Sequence, residues 1–386
     1  MYHPCETRKL IFSIELSVTR NHIRASVERI AIIFIHLGLN PSPTLNHYAG
    51  IAFDLIPNAS LVLITDIPSL HPNFPGRVVE FDRAKLPRGF QRYIRKTKAY
   101  NNIAGGYWRY TIERLFALLQ LPDEITHDSA VIHFESDVMS FLNSETIEFM
   151  KIRNEKTAVV RYSTTDGIAS LLFSPSVSQL YEDLTTLDDL LGKAIKIQSD
   201  MELLGLALTK GILGELPSKP VEDWLLPIRF PGEPKRYLVF DGLAFGQYLF
   251  GQDPLHTNNR SISGFQNPKF DVQLNSMQWK LLKDLEIVGT PVVSCSNQTY
   301  ELVIGAIHIH SKRKIQPNDW NQWQIVLGEA NGKLVRSFGE YSEDVIHSRK
   351  VSTKDRIRMA RKRGIIKSSR NLAAKFSKKF KRKNPL

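Results

Sequence analysis

Three short apolar runs constrain the fold of this chain more than any other feature. They are Ile30–Ile35 within "VERIAIIFIHLG", then "SLVLITD", then "AVIHF". Each is apolar at nearly every position rather than at alternate ones, as a strand buried on both faces requires. Between the first two lies "NPSP", a turn, and "TLNHYAGIAFDLI", which has helical spacing and is ended with the help of Asn58. Strand, helix, strand in that order predicts a parallel sheet with helices on its faces, an α/β architecture.

The rhythm continues less regularly. Residues 71–106 are long, basic and mixed. "YWRYTIERLFALLQL" predicts a helix with Trp108, Ile112, Leu115, Leu118 and Leu119 on one face. "SETIEFMKIR" predicts another helix and "KTAVVRYS" a strand, with further helices at about 176–191 and 200–213. Residues 214–234 are proline-rich and loop-like. Short elements follow up to the strand "YELVIGAIHIH", and 317–346 is a mixed region. No internal repeat is present.

At 42% hydrophobic residues, the 386-residue chain has material for a sizeable core. No run of 18 apolar residues predicts a membrane span. The opening residues lack a charged-then-apolar leader pattern. Two cysteines, Cys5 and Cys295, are too few for a disulfide scaffold or a cysteine-built zinc site, so a cytoplasmic setting is expected. The net charge of +12 is unevenly spread: residues 347–386 hold 16 Lys and Arg against one acid, Asp355. The remaining body is close to neutral. Leu372, Phe376 and Phe380 stand at four-residue spacing among these basic residues, as in a basic amphipathic helix.

The chemistry concentrates where apolar runs end. "VIHFESDV" carries Glu135 and Asp137 at i and i+2, at the carboxyl end of a predicted strand. Buried carboxylates are costly unless paired, hydrogen-bonded or bound to a cation. Ligands of open α/β sheets bind at that edge, and Mg²⁺-like ions bind there through one or two carboxylates and phosphate oxygens. "IHIHSK" places His308, His310 and Lys312 at the end of another apolar strand. Imidazole suits Mn²⁺-like ions, and a lysine meets phosphate as a point charge. "YLVFDGLAFGQYLFGQDP" ends an apolar run in Asp241-Gly242; its glycines do not make a GxGxxG phosphate loop.

Taken together, "YWRYTIERLFALL", "VIHFESDV", "SDMELLG", "FDGLAFGQYLFGQDP" and "IHIHSK" resemble a family of bacterial and viral glycosyltransferase-like proteins with a GT-A-type nucleotide-sugar fold. The resemblance covers about residues 28–315. It implies a GT-A-like Rossmann-type mixed sheet flanked by helices; with the polar lead-in at 1–27 and the basic helical or disordered tail at 347–386 read from charge and composition, the expected domain spans residues 28–346. It implies Mn²⁺ or Mg²⁺ held by Glu135, Asp137 and His310 on the donor's diphosphate, with Glu a longer arm where Asp is commoner. Lys312 then suits the leaving diphosphate, Arg114 the nucleotide or phosphates, Asp66 the base or ribose, and Gln247 the sugar. Asp241 and then Asp200 are the candidate catalytic acids, although Asp200 also suits a helix N-cap.

The activity so implied is hexosyltransferase-like: transfer from a nucleotide-sugar donor to a glycan or lipid-linked acceptor, in polysaccharide or glycoconjugate synthesis. Residues 347–386 are expected to meet an anionic membrane surface, on its inner face. Nucleic acid is not an expected partner, since the body has no helix-turn-helix, zinc-finger or RRM signature. Two alternatives remain open. One is nucleic-acid binding through the tail; the other is a metal-dependent phosphohydrolase, because acids plus histidines can also activate water.

Overall fold

The computed structural model describes residues 30–39, 42, 44–96, 107–161, 163, 165–193, 197, 199–227, 232–242, 245–246, 277–281, 291–295 and 299–309. The expected lead-in and tail, and Gln247, His310 and Lys312, lie outside the described residues.

The three apolar runs form β1 (Ile30–His36), β2 (Ser60–Thr65) and β4 (Ala130–Phe134). All are parallel, with β1 between the other two, and β3 (Arg77–Glu80) continues the parallel set beyond β2. On the other side of β4 the direction reverses. β7 (Gly167–Ser174) is antiparallel to β4 and to β6 (Ala158–Arg161), and β8 (Gly214–Leu216) pairs parallel with β6. The sheet order is β3-β2-β1-β4-β7-β6-β8. This mixed sheet, flanked by helices, is consistent with the GT-A-like layout expected.

Because β1 is apolar throughout, it feeds two cores. Ile30, Ile32 and Phe34 pack with Leu45, Ala49 and Ala52 of α1 (Leu45–Leu55) on one face. Ala31, Ile33 and Ile35 pack on the other face among helices α2 (Arg88–Lys96), α3 (Tyr107–Ala117), α5 (Val177–Lys193) and α6 (Asp200–Thr209). Helix α4 (Ser144–Arg153) adds Ile147 and Met150 to the first core, capped by Asn143, whose side chain accepts from the Thr146 amide. Among the described residues, no helix is long and apolar enough to cross a membrane.

A second sheet completes the frame. β12 (Tyr300–His308) is its centre, parallel to β9 (Lys235–Phe240) and antiparallel to β11 (Pro291–Cys295), which pairs with β10 (Met277–Leu281). Its last member is β5 (Val138–Ser140), only three residues after β4 leaves the first sheet. The two sheets are thus joined through the segment that carries Glu135 and Asp137.

The sequence reading has two local corrections. The basic stretch 71–106 includes helix α2, whose apolar positions Phe90 and Tyr93 are too few to stand out among its arginines. The loop-like stretch 214–234 contains β8, which is short and recognisable only by its pairing with β6.

Candidate metal centre

The acid pair sits in a tight turn. The Glu135 amide donates to the Ser170 carbonyl (3.0 Å), and the Val138 amide donates back to the Glu135 carbonyl (3.1 Å). The chain then enters β5, whose register on β12 places Val138 opposite His308. That pairing delivers the imidazole. His308 Nε2 lies 3.2 Å from Asp137 Oδ1 and 3.6 Å from Glu135 Oε2. One ligand atom from each of the three residues falls within 4.8 Å of the others. Burial alone would lower the His308 pKa, but the Asp137 carboxylate, then Glu135 and Asp241, raise it above the usual value.

The donor set fits a divalent cation. Two carboxylate oxygens and one imidazole nitrogen suit Mn²⁺ in particular, because Mg²⁺ prefers an all-oxygen shell. Glu135 has one oxygen for this task, since its Oε1 already accepts from Arg114 Nη2 at 2.6 Å. Arg114, expected at a nucleotide or phosphate, is therefore placed by the structure as the partner of Glu135.

Asp200 is buried directly behind that pair. It is the first residue of α6; the N-cap is Ser199, whose hydroxyl accepts from the Glu202 amide (3.2 Å), so the suggested capping role of Asp200 is corrected. The Asp200 carboxyl is bonded by the Thr111 hydroxyl and the Met201 amide, and its Oδ1 has no partner among the described residues. Burial raises its pKa, Arg114 opposes the rise and Glu135 adds to it.

Asp241, just past β9, is also buried, and both its oxygens are held by backbone. Oδ1 accepts from the Phe245 amide (2.9 Å); Oδ2 accepts from the amides of Gly246 (2.7 Å) and His308 (3.1 Å). A Cβ at Gly246 would overlap the His308 carbonyl oxygen. Here the glycine serves close approach of two backbones. The "FDGLAFG" stretch thus clamps the backbone of His308 at its amide and its carbonyl.

Asp66 follows β2 as expected. Its Oδ1 accepts from the Gly38 amide and its Oδ2 from Arg83, both at 2.8 Å. Gly38 has φ +114°, a conformation that favours glycine. Burial raises the Asp66 pKa, but the Gly38 and Arg83 bonds outweigh it and the net shift is downward. Arg83 also reaches the buried Glu113 at 2.9 Å. Beside them His36 and His71 meet edge to face at 5.0 Å, both with lowered pKa values caused first by burial.

The structure therefore joins Glu135, Asp137 and Asp241 around His308, sets Arg114 and Asp200 beside Glu135, and leaves Asp66 in an ion-pair network with Arg83. Sequence reasoning assigned the imidazole to His310 and did not single out His308 as a ligand. The alternation in "IHIH" admits both assignments, and the β5–β12 register brings His308 to the acids. Tyr48 of α1 was also missed. It is buried beside Asp137, and burial, then the Asp137 charge, raise its pKa.

No protein-family model matches the chain, and no curated protein sequence matches it. Similar solved structures include the PaToxG glycosyltransferase, with a TM-score of 0.32 and 14% identity over 54% of this chain and 80% of that one. Another is mouse xyloside xylosyltransferase 1 in its apo form, with a TM-score of 0.30 and 10% identity over 50% of this chain and 89% of that one. What the site can do follows from its own residues.

Proposed function

We propose that the chain is a metal-dependent glycosyltransferase that moves a sugar from a nucleotide-sugar donor to a glycan or lipid-linked acceptor. The observation that carries this reading is the convergence of Glu135, Asp137 and His308 at the carboxyl end of the parallel strands β1 and β4. Such an edge is where nucleotides bind in open α/β sheets. The cation would be Mn²⁺ or Mg²⁺, and when bound it would neutralise charge on the departing diphosphate.

The chain's own residues have distinct tasks in this reading. Asp137 and His308 offer the better-placed ligand atoms, with Glu135 shared between the ion and Arg114. Asp241 is a positioning residue, because it fixes the backbone from which His308 projects. Asp200 supports Arg114 from beneath. Asp66 and Arg83 shape the donor side, where base or ribose would lie. Lys312, His310 and Gln247 keep the donor roles that the resemblance implies: Lys312 toward the diphosphate, His310 as a further ligand, Gln247 toward the sugar.

Calorimetric titration of a nucleoside diphosphate panel, with and without Mn²⁺, into the full chain and Asp137→Ala tests the reading. Binding of one nucleotide that needs Mn²⁺ and disappears in the variant is the expected result. A folded wild type that binds no nucleotide would overturn it. Hydrolysis of the nucleotide's phosphoanhydride without any acceptor, releasing nucleoside monophosphate with sugar phosphate or inorganic phosphate, would favour the phosphohydrolase alternative.

A further inference from the structure

A row of arginines on α2 takes no part in the site above. Residues 83–112 hold eight Lys and Arg and no Asp or Glu. Helix α2 lies within this stretch, with Phe90 and Tyr93 turned into the core. On its other side Arg88, Arg92 and Arg95 are exposed. Their i, i+4, i+7 spacing makes one stripe, about 10 Å long at the helical rise. Lys85, also exposed, precedes it.

The arginines are not what anchors the helix. Helix α5 packs against α2 and supplies Asp188, whose carboxylate accepts from the amides of Gly89 (2.7 Å) and Phe90 (2.6 Å) and so caps the first turn. Arg92 eases the charge of Asp188, and exposed Asp189 follows it on α5. Lys96 is engaged by the Gly192 carbonyl at 3.2 Å. Among the described residues, Arg88, Arg92 and Arg95 have no ion pair within 4.0 Å. Three like charges along one stripe repel one another, and among the described residues only the Arg92–Asp188 attraction eases them.

We propose that this face docks the protein on an anionic phospholipid bilayer. Guanidinium forks match phosphate oxygens, and a straight exposed row can meet a flat charged surface along its whole length. The aromatic residues of α2 point inward, so the face offers no platform on which bases would stack. The segment 347–386 favours lipid as well, because Leu372, Phe376 and Phe380 among its basic residues suit shallow insertion. Two basic elements on one chain bind such a surface together more tightly than either alone. The α2 row then sets how the folded body faces the membrane.

The test is sedimentation of the full chain with phosphatidylcholine vesicles, with and without phosphatidylserine, and with neither metal nor donor present. It is independent of the transferase reading. The variant Arg88→Gln/Arg92→Gln/Arg95→Gln should bind the phosphatidylserine vesicles at least about tenfold more weakly than wild type, and the gap should close as salt rises. Its melting temperature should match wild type. Amide exchange across residues 88–96 should slow when wild type binds vesicles. Equal binding by the variant, unchanged exchange in 88–96, or wild-type binding that ignores phosphatidylserine would each overturn the proposal. Loss of duplex DNA binding in the variant, with vesicle binding intact, would also overturn it and assign the row to nucleic acid.

Discussion

Asp137 and Asp241 both follow an apolar strand, and both lie within reach of His308. Asp137 meets the imidazole from the side, its carboxylate about one quarter exposed (27%). Asp241 meets the backbone of the same residue from within the core, 3% exposed and holding three amides. The difference is one of which strand pairs where. β4 ends at a junction between two sheets, so the turn after it opens toward solvent. β9 ends against β12, so the turn after it folds back on a neighbouring strand. An acid at the end of a strand therefore meets a side chain at an open turn or fastens backbone in the core, according to what the next few residues pack against.

The comparison predicts that Asp137→Asn affects function and leaves stability alone. Mn²⁺ affinity should fall on the order of a hundredfold or more, beyond the usual effect of an outer-shell change. The melting temperature should stay put, since a partly exposed side chain tolerates the change. A large loss of stability in this variant would break the distinction.

Asp241→Ala should do the reverse. Leaving three buried amides without an acceptor costs about 3 kcal/mol or more, visible in urea denaturation. Mn²⁺ affinity should drop by about tenfold through the loosened His308 backbone. Gly246→Ala should share this signature, because a methyl group there collides with the His308 carbonyl. Unchanged stability in both variants would remove the clamp from the account.

Glu135→Gln sharpens the picture within the ligand set. Glu135 already has Arg114 as a partner, so its loss should weaken Mn²⁺ binding by roughly tenfold, less than the loss of Asp137. Calorimetry on both variants gives the order; the opposite order would make Glu135 the main ligand.

A smaller effect follows from two buried titrating groups. Burial, opposed by its amide bonds and His308, pushes the Asp241 carboxyl up to about 6. From about pH 4 to 6 the folded state holds a proton that the unfolded carboxyl has lost, so this group makes stability fall as pH rises. His133, buried in β4 and bonded to the Ile33 carbonyl at 3.0 Å, has its pKa lowered by burial to about 4. Between about pH 4 and 6.5 the unfolded imidazole binds the proton, so this group makes stability rise with pH. The two slopes oppose each other. In Asp241→Asn the rise should steepen by up to about 1.4 kcal/mol per pH unit over that window. Denaturation curves across the window check it; an unchanged slope would mean that Asp241 is already ionised there.

Much of this molecule was legible in its sequence. The unbroken apolar runs of β1, β2 and β4 announced a sheet covered on both faces, because a strand with no polar face cannot lie against water. Acids at strand ends marked the turn that, in the fold, meets His308. The spacing of "SETIEFMKIR" matched helix α4 as built.

Tertiary structure decided the rest, and the reason is that its contacts join residues far apart in the chain. Nothing near His308 in sequence says that it, with Asp137, will share a site; that follows from Val138 pairing with it across about 170 residues. The same holds for Arg114, which an α3 helix carries to Glu135, and for the reversal of β7 beside β4. Local pattern determined which segments become strands and helices, since that depends on side-chain periodicity along the chain. Register and packing between segments determined which carboxylate binds backbone and which one faces the His308 imidazole, since that depends on distances only the folded chain possesses.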